Sequence, residues 1–325
     1  MRIAFCGKGG SGKTSTASLF IKYLESKNLP VLAIDGDINQ HLGAALGFDE
    51  KTIRDLPKLG QDQKVMLEYL RGTNKNIRNA SDMIEATPAG TGSRLMDRAT
   101  PNPVSEQFAL DRRNLRFMAV GGHDDTDAGT TCFHKFTGAE GIFLNHYMDA
   151  DDEYVIADMV AGADPFSSSG LATRFDASVV VIEPTLKAIA VYHQAVTYGE
   201  PNKVKLLPVA NKITSDDDLK FIEDQIGRKC ICAFRSLPQV RDAEKGIDFK
   251  ASDLDAETIA ALETLRQEIL ALPERDWNLY QSLGWSFLEK AANSWASAMF
   301  GYDLTEQIDR SFRYPFVRQP MAQAG

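Results

Sequence analysis

Near its start the chain reads Gly7-Lys8-Gly9-Gly10-Ser11-Gly12-Lys13-Thr14, which satisfies the spacing G-x-x-x-x-G-K-[ST]. Each position has a physical reason. Glycines let the backbone curl until successive N–H groups point inward, toward phosphate oxygens. A helix starting near Gly12 adds the positive end of its dipole. The Lys13 ammonium suits the β and γ phosphates, and the Thr14 hydroxyl suits Mg2+. Gly7, Gly9, Gly10, Ser11, Gly12, Lys13, Thr14 and Ser15 are therefore the expected phosphate-binding set.

Lys8 is a second lysine inside the loop, giving K-G-G-x-G-K-T. In this the chain resembles the deviant Walker A family of P-loop ATPases, which includes MinD, ParA and the nickel-insertion ATPase of carbon monoxide dehydrogenase. The resemblance implies an α/β fold: a P-loop NTPase three-layer sandwich, with a mainly parallel sheet and helices on both faces. It implies ATP and Mg2+ as ligands, and a homodimer closing over the nucleotide, with Lys8 reaching the phosphates held by the other copy. Turnover is then slow alone and faster with the correct partner.

The strand end Val31-Leu32-Ala33-Ile34-Asp35-Gly36-Asp37 resembles the family's second motif. A carboxylate at a strand's C-terminal tip faces the ligand in such sheets. By resemblance, Asp37 positions or deprotonates the attacking water and Asp35 supports Mg2+. Ile38 stands where the family usually has proline. Val155 to Gly162 resembles Walker B and switch II, with Asp158 on Mg2+ and the Gly162 N–H sensing the γ-phosphate. Asn211-Lys212 matches a pair set beside the purine, and Ser236-Leu237-Pro238-Gln239-Val240 a loop over the base. The likeness favours adenine, since Ile213 and Thr214 after Lys212 break the guanine-specific N-K-x-D.

Residues 158–162 with 168–173, and Val179 to Lys187, resemble the nickel-insertion branch. That branch holds a metal between two subunits through C-x-C. The corresponding place here reads Thr131-Cys132-Phe133-His134. Cys132 and His134, doubled by a two-fold axis, give a tetrahedral Cys2His2 set suited to Zn2+, or to Ni2+ by analogy with the branch. The competing reading is a half-buried cysteine beside an exposed histidine. The branch implies assistance in metallocentre assembly or metal insertion into a client enzyme. The alternative is a ParA/MinD-type switch that positions or regulates a protein partner without handling metal. Cys230-x-Cys232 reads instead as a buried apolar strand. Residues 163–175 hold no cysteine, which argues against a shared iron–sulfur cluster.

These residues need a β-loop-α-β frame. Arg2 to Cys6 reads as a buried strand, Thr14 to Lys27 as an amphipathic helix, and Val31 to Asp35 as the next strand. Further strands are expected at 115–120, 154–158, 177–183 and 204–210, with a weak one at 230–234, and a closing helix at 253–271. Residues 49–113 read as a mostly helical insertion with mobile parts and no clear strand. The expected division is 1–272 for the ATPase domain and 273–325 for an aromatic-rich helical extension, with Trp277, Tyr280, Trp285 and Trp295. These aromatics are expected to pack onto the main domain.

The 325 residues are 43% hydrophobic and 25% charged, ample for a packed core. With 36 basic and 45 acidic residues the net charge is −9, which argues against nucleic acid or anionic membrane as partner. Four scattered cysteines make no disulfide framework. A phosphate loop this near Met1 leaves no room for a signal peptide, and a cytoplasmic location is expected.

Overall fold

The computed structural model describes residues 1–122, 134–167, 170–243 and 245–315, with the side chains of His134 and Lys135 also outside the description. Among the described residues eight strands form one sheet. They are β1 (Arg2–Gly7), β2 (Val31–Asp35), β3 (Leu110–Arg112), β4 (Leu115–Ala119), β5 (Tyr154–Asp158), β6 (Ala177–Ile182), β7 (Leu206–Ile213) and β8 (Ala233–Arg235). Their order is β3-β4-β2-β5-β1-β6-β7-β8. Every pairing is parallel except β3 with β4.

Helices cover both faces of this sheet, so the inner strands read as continuous apolar runs. Each residue of β1, β2, β5 and β6 is buried. Alternate residues feed two separate cores. Ala4, Cys6, Leu32 and Ile34 enter one, and Ile3, Phe5, Val31 and Ala33 the other. The result is the expected three-layer α/β sandwich. β1 lies between β5 and β6, so its C-terminal end opens at the middle of the sheet's edge, where chain order reverses and ligands bind in such folds.

Residues 49–113 differ from expectation in two ways. They end in the edge strand β3, where no strand was expected. They are short helices (Glu50–Asp55, Gln63–Arg71 and Pro103–Phe108) joined by turns. Nor is the segment a detached lobe: Leu59, Met66, Leu70 and Ile77 are fully buried in the core on one face. Leu59 and Gly60 donate N–H bonds to Ala119 O and Val120 O at the end of β4.

The aromatic extension packs onto the sheet through a buried ionic and aromatic joint. Its helix Trp277–Ala291 is capped by Asp276. Arg275 bridges Asp149 and Asp176 at 2.8 Å, and Arg2 bonds Asp149 at 2.8 Å and Tyr280 Oη at 3.0 Å. Tyr280 meets Trp277 and Tyr314 edge to face, those two rings lie tilted against each other, and Arg174 lies 4.1 Å over the Tyr280 ring. A five-residue π turn, Ala292–Ala296, interrupts the helix that follows. Among the described residues no helix is long and apolar enough to cross a membrane.

Candidate nucleotide-binding site

The loop between β1 and helix Lys13–Ser26 is built on glycines that other residues could not replace. Gly7, Gly10 and Gly12 have φ of 147°, 81° and 92°. A Cβ on Gly7 would lie 2.5 Å from Val181 O, and one on Gly12 would lie 2.2 Å from Asn211 Nδ2. Gly12 caps the helix without a side-chain bond, leaving first-turn N–H groups open to an acceptor. Ser11 N bonds Lys8 O at 3.0 Å, which closes the curl. Asn211 Nδ2 donates to Ser11 O at 2.8 Å, tying the end of β7 to the loop.

A cavity of about 750 Å3 opens over this loop. Gly9, Gly10, Gly12, Lys13, Thr14 and Ser15 line its phosphate end, with Asp37, Asn211 and Lys212. Gly7 and Ser11 lie beneath as the buried foundation of the turn. Leu237, Val240 and Phe249 give an apolar wall farther on. Pro238 and Gln239 do not line it: both belong to the short helix Pro238–Ala243, and Gln239 Nε2 is turned to Asp253 O. A shallower groove of about 550 Å3 between Tyr23, Lys27, Ile259 and Arg266 contains no phosphate-loop residue.

Three strand-end carboxylates converge beside the loop. Lys13 Nζ is 3.6 Å from Asp37 Oδ2, and Asp37 Oδ1 is fixed by the Asn39 N–H at 3.0 Å. Thr14 Oγ1 donates to Asp158 Oδ2 at 2.5 Å. Asp35 and Asp158 are register partners on β2 and β5, and both are fully buried, one layer beneath the cavity lining. Asp35 Oδ2 accepts the Leu42 N–H at 2.9 Å. Burial pushes Asp158 up to about 7, against the pull of Lys13 and Thr14. Burial, then the neighbouring Asp158, push Asp35 well above the usual carboxylate range.

Asp35 Oδ1 and Asp158 Oδ1 are buried without hydrogen-bond partners among the described residues. Unspent acceptors behind a hydroxyl fit a hydrated divalent cation in front of Thr14, with Asp158 acting through that hydroxyl or through water. Asp35 stands farther back. Gly162 is the residue whose N–H is expected to sense the γ-phosphate. Its N–H is committed to Gly7 O at 2.9 Å, a one-rung antiparallel bridge between the two loops.

Lys8, expected to serve the phosphates held by the other copy, does not line the cavity of its own chain. Its Nζ lies 2.9 Å from Glu183 Oε1 and 2.8 Å from Gly9 O. Glu183, Arg235, Arg241 and His41 were not singled out from sequence, yet the last three line the cavity. Glu183 did carry a signal: like Asp158, it is an acid at the C-terminal end of an inner strand.

Cys132 lies outside the described residues, as does the side chain of His134, whose backbone opens helix His134–His146. Among the described residues no group of three His, Cys, Asp or Glu is placed to hold a metal ion. Cys230 packs against one sheet-face core and Cys232 against the other, so they do not form a ligand pair. Burial pushes both thiols up to about 12.

A glycine loop at the central strand's end, a helix N-terminus behind it, and Lys13, Thr14 and Asp158 at their spacing define a P-loop nucleotide-binding protein. Residues 3–264 match the CobQ/CobB/MinD/ParA nucleotide binding domain, and the chain belongs to that family. It is 28% identical over 226 residues to an uncharacterized ATP-binding protein of Methanocaldococcus jannaschii, covering 68% of this chain and 81% of the relative. It is 26% identical to the carbon monoxide dehydrogenase accessory protein CooC of Rhodospirillum rubrum, covering 69% and 79%. In fold it is similar to the septum site-determining protein MinD of Pyrococcus horikoshii, solved with Mg-ADP, at TM-score 0.52 and 18% identity, covering 83% and 96%.

Proposed function

We propose that this chain is a Mg-ATP-hydrolysing switch, closing as a homodimer, that assists metallocentre assembly in a client enzyme. One observation carries the chemistry: Lys13, Thr14, Asp37 and Asp158 converge from three strand ends on one glycine-lined cavity. In this reading the loop N–H groups and Lys13 hold the β and γ phosphates, and Thr14 with Asp158 behind it holds Mg2+. When bound, Mg2+ neutralises charge on the phosphate oxygens. Asp37 orients the attacking water and takes its proton as the bond from the γ phosphorus to the bridging oxygen breaks. Lys8 serves the phosphates held by the other copy. Asn211, Leu237 and Val240 enclose the adenine. Cys132 and His134 from two copies take Zn2+ or Ni2+, and CooC similarity supports the accessory role.

The test combines calorimetry, light scattering and metal analysis. Wild type should bind Mg-ATP and dimerise with a non-hydrolysable ATP analogue. Lys13→Ala should lose about a hundredfold in affinity, whereas Asp37→Asn should keep affinity and lose hydrolysis. After dialysis against Zn2+ or Ni2+, about one ion per dimer should remain, and none in Cys132→Ala. Absence of affinity for any nucleoside triphosphate would sink the whole reading. A nucleotide-loaded dimer without metal would instead favour the switch that acts on a protein partner alone.

A further inference from the structure

Three lysines crowd the phosphate loop, and two of them answer to one acid. Glu183 Oε1 lies 2.9 Å from Lys8 Nζ, and Glu183 Oε2 lies 3.8 Å from Lys212 Nζ. Each lysine also donates to a carbonyl of the loop, Lys8 to Gly9 O and Lys212 to Gly10 O. The acid is rigidly held. It follows β6 directly, only two residues past the rung that pairs Gly7 with Val181. Pro184 keeps its backbone extended. Thr185 returns an N–H to Glu183 O at 2.7 Å and a hydroxyl to Glu183 Oε1 at 3.3 Å. The carboxylate side chain is 14% exposed, so its pairing is less screened by water than a surface bridge.

We propose that Glu183 is a positioning residue for Lys8, a latch that folds this lysine back onto its own loop until a triphosphate from a second copy takes it. This rests on the reading that Lys8 serves the other copy's nucleotide. The carboxylate carries one charge and the triphosphate several, so the lysine transfers once closure brings phosphate within reach. Until then the latch raises the nucleotide concentration needed for closure. It thereby keeps nucleotide-poor chains apart.

Two measurements test this on the full chain. In the first, an amine-acylating reagent is applied without nucleotide and Lys8 labelling is followed by mass spectrometry. Lys8 should label about three- to tenfold faster in Glu183→Gln than in wild type or Glu183→Asp. In the second, dimerisation is titrated with a non-hydrolysable ATP analogue. Glu183→Gln should close at about three- to tenfold lower concentration. That shift should vanish when Lys8→Ala is combined with it, and should survive Lys212→Ala. Lys8 labelling unchanged by Glu183→Gln overturns the latch, as does a closure shift that persists without Lys8. A wild-type chain that stays monomeric at saturating analogue overturns the dimer reading. Labelling then still decides whether Glu183 holds Lys8.

Discussion

Gly12 shows how little freedom single residues have at this site. Its φ of 92° and the 2.2 Å approach of Asn211 to a Cβ there act together. Gly12→Ala should therefore cost about 1–2 kcal/mol of stability through the left-handed backbone. It should weaken Mg-ATP binding far more, because Asn211 must leave Ser11 O. Thermal melts and calorimetry check the two effects separately. Near-normal affinity in Gly12→Ala would show that the loop re-forms without that tie. At this scale the sequence was informative where spacing encodes backbone shape, as in the eight residues from Gly7 to Thr14. It was silent on where Lys8 rests without nucleotide, because the direction of a long side chain depends on a carboxylate 175 positions away.

The strand ends carry the site's charge, and that charge has a sign in stability. Asp158 at the end of β5 keeps its proton up to about pH 7, while in an unfolded chain it ionises near 4. The nucleotide-free fold thus holds a proton that the unfolded chain releases between those values. Stability from this group is complete below about pH 4 and is lost as pH rises toward 7. Asp35 and Glu140, also raised by burial, act in the same direction. Asp149, held low by Arg2 and Arg275 despite its burial, acts in the opposite one. The clean measurement is therefore a difference. From pH 5 to pH 8 the urea midpoint of wild type should fall relative to that of Asp158→Asn, and parallel pH profiles would refute the assignment. Elements themselves were legible in proportion to their burial. The inner strands announced themselves as apolar runs. β3 did not, because three partly exposed residues, Leu-Asp-Arg, have no periodicity to read. Ser236 to Val240 is expected as a loop from the family likeness, whereas Pro238–Ala243 folds into a helix whose six residues are too few to show a helical period.

Across the whole molecule, the extension after Pro273 is fastened by buried charge as well as by apolar and aromatic packing. Arg275 reaches two acids that Arg2 also contacts, and Tyr280 lies between Arg2 and Arg174. Arg275→Ala removes the guanidinium paired with Asp176 and one of the three cations around Asp149, which keeps Arg2 and the Met1 ammonium, and should cost about 3–5 kcal/mol in urea unfolding. Trp295, about half exposed, should change stability by less than about 0.5 kcal/mol when replaced by serine. Equal losses for the two variants would mean that the extension adheres by apolar contact instead.

The single rung between Gly7 and Gly162 makes one amide into a natural gauge. That hydrogen has only one acceptor to choose at a time. While it faces the carbonyl beside β1, deuterium should replace it slowly. Any event that pulls the segment after β5 toward a ligand has to break that rung first, so its exchange rate would follow the working cycle without a probe attached.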